Sequence, residues 1–282
     1  MNSDLILTAV ALFPAIVLCI YVFAKDRVEK EPIGLLLVLL GAGALTTIPA
    51  SFLEETLGSA LNGIFAPFTY EKDGVTYLVG MTYYLYHALK YFVVVALVEE
   101  GVKWTALKLI TRNNKNFNSL FDGVIYSVFV SLGFAALENI MYAFNHGMST
   151  AIARMVTAVP AHMFFAVLMG YYYSWWNVYR KADAIERELM PEILNRNVSY
   201  GAALPFPIKK YMRYSLLVPT LAHGLYDYCC TIGGYIATIA FYVFLAFLYI
   251  HCFGKIKKMS KQDISDNQLA RLLVRNRYPD LF

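Results

Sequence analysis

The stretch "YFVVVALVEEGVKW", Tyr91 to Trp104, sets the problem of this fold. Phe92 to Val98 are uninterrupted apolar residues, and they run straight into Glu99 and Glu100, with Lys103 one helical turn further on. An apolar run of this kind suits a membrane helix. Two adjacent carboxylates do not, unless they face something other than hydrocarbon.

The rest of the chain supplies the membrane. It has 282 residues, 59% of them hydrophobic and only 16% charged, where soluble domains sit nearer half apolar and a quarter charged. Its apolar residues fall in runs long enough to cross a hydrocarbon core of roughly 30 Å, which takes about 20 helical residues. Seven such runs are read: Leu5 to Phe23, Gly34 to Leu53, Thr82 to Ile110, Phe121 to Tyr142, Thr150 to Trp176, Tyr214 to Thr231 and Tyr235 to Phe253. The expected fold is therefore all-α: a polytopic membrane protein of about seven transmembrane helices around a polar intramembrane cavity. Residues 1–254 form the transmembrane domain, with a cytoplasmic loop at 177–213, and residues 255–282 form a basic cytoplasmic C-terminal tail. The first run has no basic start and no small-residue cleavage site, so it reads as a retained span.

Lys and Arg set the orientation. Lys25, Arg27 and Lys30 follow the first run, Arg112 and Lys115 the third, and Arg180, Lys181, Arg187, Arg196, Lys209, Lys210 and Arg213 the fifth. The alternate loops hold only Lys72, Arg154 or none. This places the N-terminus outside and the C-terminus in the cytoplasm of a multi-pass cell-membrane protein. The net charge of +4 is this bias together with attraction to the anionic lipid bilayer, and it calls for no nucleic acid. Outside, the Lys-Asp-Gly of "PFTYEKDGVTY" between β-formers predicts a small hairpin or a re-entrant cover. Inside, "NVSYGAALPFP" reads as a turn along the membrane surface, and "QLARLLVRNR" as a short amphipathic helix.

Each ionisable group at membrane depth costs about 2.5–3.5 kcal/mol on insertion scales, which makes each a functional candidate. Here they come as a set: Glu99, Glu100 and Lys103 in the third run, Glu138 and Asn139 in the fourth, His162 in the fifth, His223 and Asp227 in the sixth. Glu99 with Lys103, and His223 with Asp227, are i,i+4 pairs that share a helix face. Glu100 is turned about 100° from Glu99, so one carboxylate is expected to face a cavity while the other flanks it and pairs with Lys103. Pro160 and Pro219 precede the two histidines and predict breaks beside them. These groups are expected to converge on one wet pocket, supporting acid/base chemistry near neutral pH.

The segments EEGVK (Glu99 to Lys103), "DGVIYSVFVSLGFAALENIMY" (Asp122 to Tyr142), "AHMFFAVLMGYYY" (with His162) and "HGLYD" (His223 to Asp227) resemble the motifs of the PrsW family of intramembrane proteases, as does "AKDRVEKEP" after the first run. More distantly, the pattern is similar to type II CAAX prenyl endopeptidases. The resemblance implies a bacterial membrane endopeptidase, of metallo- or glutamate type, acting on a membrane-anchored protein substrate and, like the family's namesake, making the first cut in an anti-sigma factor. It implies Glu99, Glu100, Glu138, His162 and His223 as the active-site set. Lys103 is expected to stand in support, Asp227 to orient His223, and Asn139 to donate to an oxyanion. It also admits Zn2+ held by Glu138, His162 and His223, since two His and one carboxylate make a catalytic zinc set. The alternatives left open are a proton- or cation-coupled transporter using the same carboxylates, and a non-catalytic binding protein on a protease scaffold. The absence of internal repeats disfavours the first.

Overall fold

A computed structural model of the chain describes residues 3–26, 29–195 and 204–281. The molecule is helical, with one small hairpin. Helices α1 (Ser3–Lys25), α2 (Ile33–Leu45) and α3 (Thr47–Phe65) are followed by strands β1 (Thr69–Lys72) and β2 (Val75–Leu78). Next, α4 (Met81–Leu89) passes through a π-helical stretch, Lys90–Ala96, directly into α5 (Leu97–Thr111). The remaining helices are α6 (Asp122–His146), α7 (Met148–Val156), α8 (Ala158–Asn195), α9 (Ile208–Thr231), α10 (Gly234–Lys261) and α11 (Asp266–Arg277).

By length and composition alone, five helical stretches qualify as membrane spans among the described residues: Ser3–Lys25, Ile33–Phe68, Asp122–His146, Met148–Asn195 and Gly234–Lys261. The other two runs read from the sequence are the helix from Met81 to Thr111 and α9, which carry the Glu-Glu-Lys and His-Asp groups. The first is divided by its π-helical stretch into α-helical pieces of 9 and 15 residues, and both runs carry polar groups at membrane depth. That polarity needs a protein-lined interior, because lipid offers it no partner.

α6 is the centre of the bundle. Every residue from Asp122 to Ala135 is buried, which a helix achieves only when neighbours cover it on all sides. Small residues make this possible. A Cβ added to Gly43 of α2 would lie 1.9 Å from the Val130 carbonyl oxygen, and one on Gly133 of α6 would lie 2.0 Å from that of Leu40. The two backbones therefore touch, as small-residue contacts allow in membrane helices. Against α8, Ser127 donates to the Ala166 carbonyl at 2.7 Å and Ser131 to the His162 carbonyl at 2.9 Å. The second of these fixes the depth of His162 against α6.

The sequence expectation of breaks near the histidines takes two forms. Pro219 lies inside α9. Pro160 instead sits in the first turn of α8, where its missing N–H is no loss, and the break itself is at Thr157 (φ −115°, ψ −76°) between α7 and α8. The hairpin forms as expected, with Lys72 opposite Val75 and Thr69 opposite Leu78. Its two-residue turn has Asp73 at φ 54° and Gly74 at φ 73°, the left-handed pair that matches strand twist. The expected amphipathic helix is α11, whose Ala270 and Val274 pack with Ala182 and Ile193 of α8. Residues 196–203, most of the expected surface turn, lie outside the described residues.

Candidate active site

α5 begins where the π-helical stretch ends, and one extra residue per turn in that stretch resets which face the following residues present. Glu99 and Glu100 fall in its first turn and Lys103 one turn on, all three buried. Lys103 Nζ donates to Glu99 Oε2 and to Glu100 Oε1, both at 2.9 Å. It also lies 3.3 Å from His162 Nδ1 and 4.0 Å from the centre of the Phe134 ring. The sequence reading had one carboxylate facing the cavity and its neighbour pairing with Lys103. The structure shows Lys103 holding both, with Glu99 at the cavity wall and Glu100 fully buried behind it. A lysine i+3 from one acid and i+4 from the other reaches both, since both spacings share its face.

His223, from α9, completes the group. Its Nδ1 lies 3.0 Å from Glu100 Oε1 and its Nε2 lies 3.3 Å from Asp227 Oδ2. The imidazole stacks on Phe165 of α8 with ring centroids 4.7 Å apart, and the two histidine rings are 5.3 Å apart. His162 Nε2 lies 2.9 Å from Glu138 Oε2. Residues from α5, α6, α8 and α9 thus meet in one place. They border a cavity of about 560 Å³ that Glu99, Glu138, His162, His223 and Asp227 all line.

Two placements, those of Glu138 and Asn139, differ in detail from the sequence expectation. Glu138 binds His162 from the far side and is itself held by Arg154 at 2.6 Å, so its carboxylate stands outside the tightest group. Asn139 donates its amide to the Ala11 carbonyl of α1 at 2.8 Å and accepts from Arg154 Nε at 3.0 Å. These bonds tie helices together and point the amide away from the cavity. Asp122 accepts from the backbone of Asn118 and Ser119, ordering the loop before α6.

Glu54 and Arg154 line the same cavity and were missed. Arg154 reads as an outer-loop cation in sequence. Glu54 lies beyond the end assigned to the second run, although the Thr47, Ala50, Ser51, Glu54 spacing marks one helical face.

The donor set fits a metal. One ligand atom from each of Glu99, Glu100, His162 and His223 falls within 4.8 Å of all the others, and two imidazoles with carboxylates are ordinary zinc ligands. Glu100 Oε2 is buried with no hydrogen-bond partner, an atom left for a group that would occupy the centre.

A multi-span helical bundle that buries carboxylates and imidazoles beside an internal cavity holds the groups that hydrolysis at membrane depth requires. Residues 31–252 match the family model described as "PrsW family intramembrane metalloprotease". The chain belongs to that family and is a membrane endopeptidase. Its relatives include proteins named Protease PrsW from Geobacillus kaustophilus, 32% identical over 76% of this chain and 75% of that protein, and from Clostridioides difficile, 30% identical over 92% of each. The Bacillus subtilis protein of that name is 28% identical over 87% of this chain and 91% of its own length. No solved structure matches the chain.

Proposed function

We propose that this protein hydrolyses a peptide bond in or beside the transmembrane segment of a membrane-anchored substrate, and that its substrates include an anti-sigma factor, on which it makes the first cut. The observation that carries the reading is the gathering of Glu99, Glu100, His162 and His223 within 4.8 Å at the wall of a cavity large enough for a short stretch of peptide.

The roles follow from the positions. Glu99 is the general base: it lines the cavity, while Lys103 fixes its carboxylate from behind. It takes a proton from water as the water oxygen attacks the scissile carbonyl carbon. When the C–N bond breaks, the same carboxyl returns that proton to the leaving amine. Glu100, His162 and His223 would hold the metal, which when bound supplies a Lewis acid for the carbonyl oxygen and the water. Asp227 orients His223, and Glu138, clamped by Arg154, orients His162, in the manner of partners that fix a ligand's ring. Asn139 is a structural tie.

We further propose seven crossings with the N-terminus outside. Residues 1–254 then form the membrane domain, and the segments 177–213 and 255–282 are cytoplasmic. The test is reconstitution of purified protein with single-span substrates, with and without chelator, comparing wild type with Glu99→Gln. Cleavage by wild type that chelation and Glu99→Gln each abolish is expected. Cleavage that survives Glu99→Gln refutes the assignment of the base, and cleavage that survives thorough chelation refutes the metal.

A further inference from the structure

A second cavity, of about 540 Å³, lies further along two of the walls that border the reaction cavity. On α3, Thr47, Ala50, Ser51 and Glu54 line the inner space, and Asn62 and Phe65 line the outer one. On the opposite wall, Tyr83, Tyr86 and His87 of α4 line the outer space, and Lys90, Tyr91 and Val95 of the π-helical stretch line the inner one. His87 and Tyr91, with ring centroids 6.1 Å apart, join the two. The hairpin covers the outer space with Tyr70 and Tyr77, whose rings stack 5.5 Å apart across the strands.

The chemistry changes from one cavity to the other. The inner wall carries Glu54, Lys90, Glu99, Arg154 and Asp227, whereas no carboxylate, lysine or arginine is among the residues lining the outer one. Its surface is Phe65, four tyrosine rings and His87, with Asn62 and two threonines supplying the polar edge. A phosphate headgroup finds no countercharge there. An aromatic or branched aliphatic side chain finds ring faces on several sides. From Glu54 to Asn62 is eight residues of helix, about 12 Å, which roughly four residues of extended chain would span.

We infer that the outer aromatic pocket is a substrate-recognition site, which holds an aromatic or large aliphatic side chain of the membrane-anchored substrate about four residues to the extracytoplasmic side of the segment in the reaction cavity. The inference rests on the proteolytic reading and on the proposed orientation. Its occupant is the substrate, because the pocket continues two walls of the cavity in which that substrate would be cut.

A photo-crosslinking residue placed at Thr76, a lining position on β2, tests this in full-length Glu99→Gln protein, which binds without cutting. The probe is a single-span peptide in lipid nanodiscs with one phenylalanine, moved through the extracytoplasmic positions, and a matched peptide with serine throughout. Cross-linking is expected to peak at one position and to fall roughly tenfold with serine, the scale of losing one buried aromatic side chain. In otherwise wild-type protein, Tyr70→Ser with Tyr77→Ser, both half-exposed positions, is expected to raise KM several-fold for the phenylalanine peptide. The difference from wild type should vanish for the serine peptide. Equal cross-linking to both peptides, or cross-linking only to lipid or to a second copy of this chain, overturns the inference. If wild type cleaves neither peptide while cross-linking still follows the phenylalanine, the proteolytic reading fails and the pocket stands.

Discussion

Replacing Lys103 by methionine keeps the volume of the side chain and removes its charge. Lys103 is fully buried, and its ammonium is the cation that bonds both Glu99 and Glu100. Without it two carboxylates face each other with ligand atoms within 4.8 Å. At an effective dielectric of about 20 their repulsion is about 3 kcal/mol, and removing one partner of a buried ion pair costs about 3–5 kcal/mol in measured cases. Lys103→Met is therefore expected to lower the melting temperature in lipid nanodiscs by roughly 10 °C and to abolish cleavage. Adding Glu100→Gln to it restores the original charge sum of the three groups, so the double variant is expected to recover most of that stability while remaining inactive. This non-additivity is the signature of residues that share one charge network. The reasoning is refuted if Lys103→Met melts within about 3 °C of wild type, or if adding Glu100→Gln destabilises the protein further.

Other outcomes follow from particular contacts. Gly133→Ala drives a methyl group to 2.0 Å from the Leu40 carbonyl oxygen, a clash with backbone that cannot be relieved by a rotamer, so little folded protein should survive detergent extraction and size-exclusion chromatography. Asn139→Ala removes the side-chain donor to the Ala11 carbonyl and an acceptor of Arg154 and is expected to cost about 1–3 kcal/mol of stability in denaturant titration, while kcat of the folded fraction stays near wild type because Arg154 keeps its bond to Glu138. Metal measured by atomic emission on wild-type protein is expected near one equivalent, falling to background in His162→Ala with His223→Ala. Glu31 lies outside the membrane spans, in the loop before α2, and burial, with the Asp122 carboxylate beside it, pushes its carboxyl from the usual 4.5 up to about 8. The folded protein thus keeps a proton that the unfolded chain releases, so this contribution to stability is complete below pH 4.5 and is lost as pH rises to about 8. Glu31→Gln should flatten the stability profile over that window, and an unchanged slope would show that another group sets it.

Much of the architecture was legible in the chain because hydrocarbon is an unforgiving solvent. Runs of apolar residues had to be spans, and polar groups inside them had to turn towards protein, so Glu99, Glu100, Lys103, Glu138, Asn139, His162, His223 and Asp227 could be named as one set from cost alone. The Asp73-Gly74 turn was legible because few residue pairs accept two left-handed conformations in succession. The fine structure of the site was another matter. Spacing along a helix fixes only relative angle, and the π-helical stretch before α5 shifts even that. Arg154 and Glu54 looked like loop charges until α7 and α3 placed them against the cavity.

What the sequence by itself determined is that this protein crosses the bilayer several times and gathers acids and imidazoles away from lipid. That follows from the transfer free energy of each residue, a quantity that belongs to the chain. Only the tertiary structure decided which atoms meet: that Lys103 serves both glutamates, that Glu138 answers to Arg154, and that Asn139 braces α1. Those pairings depend on how far α6 sinks between α2 and α8. Backbone contact at Gly43 and Gly133 and the serine bonds to α8 set that depth, and they exist only once the helices have packed.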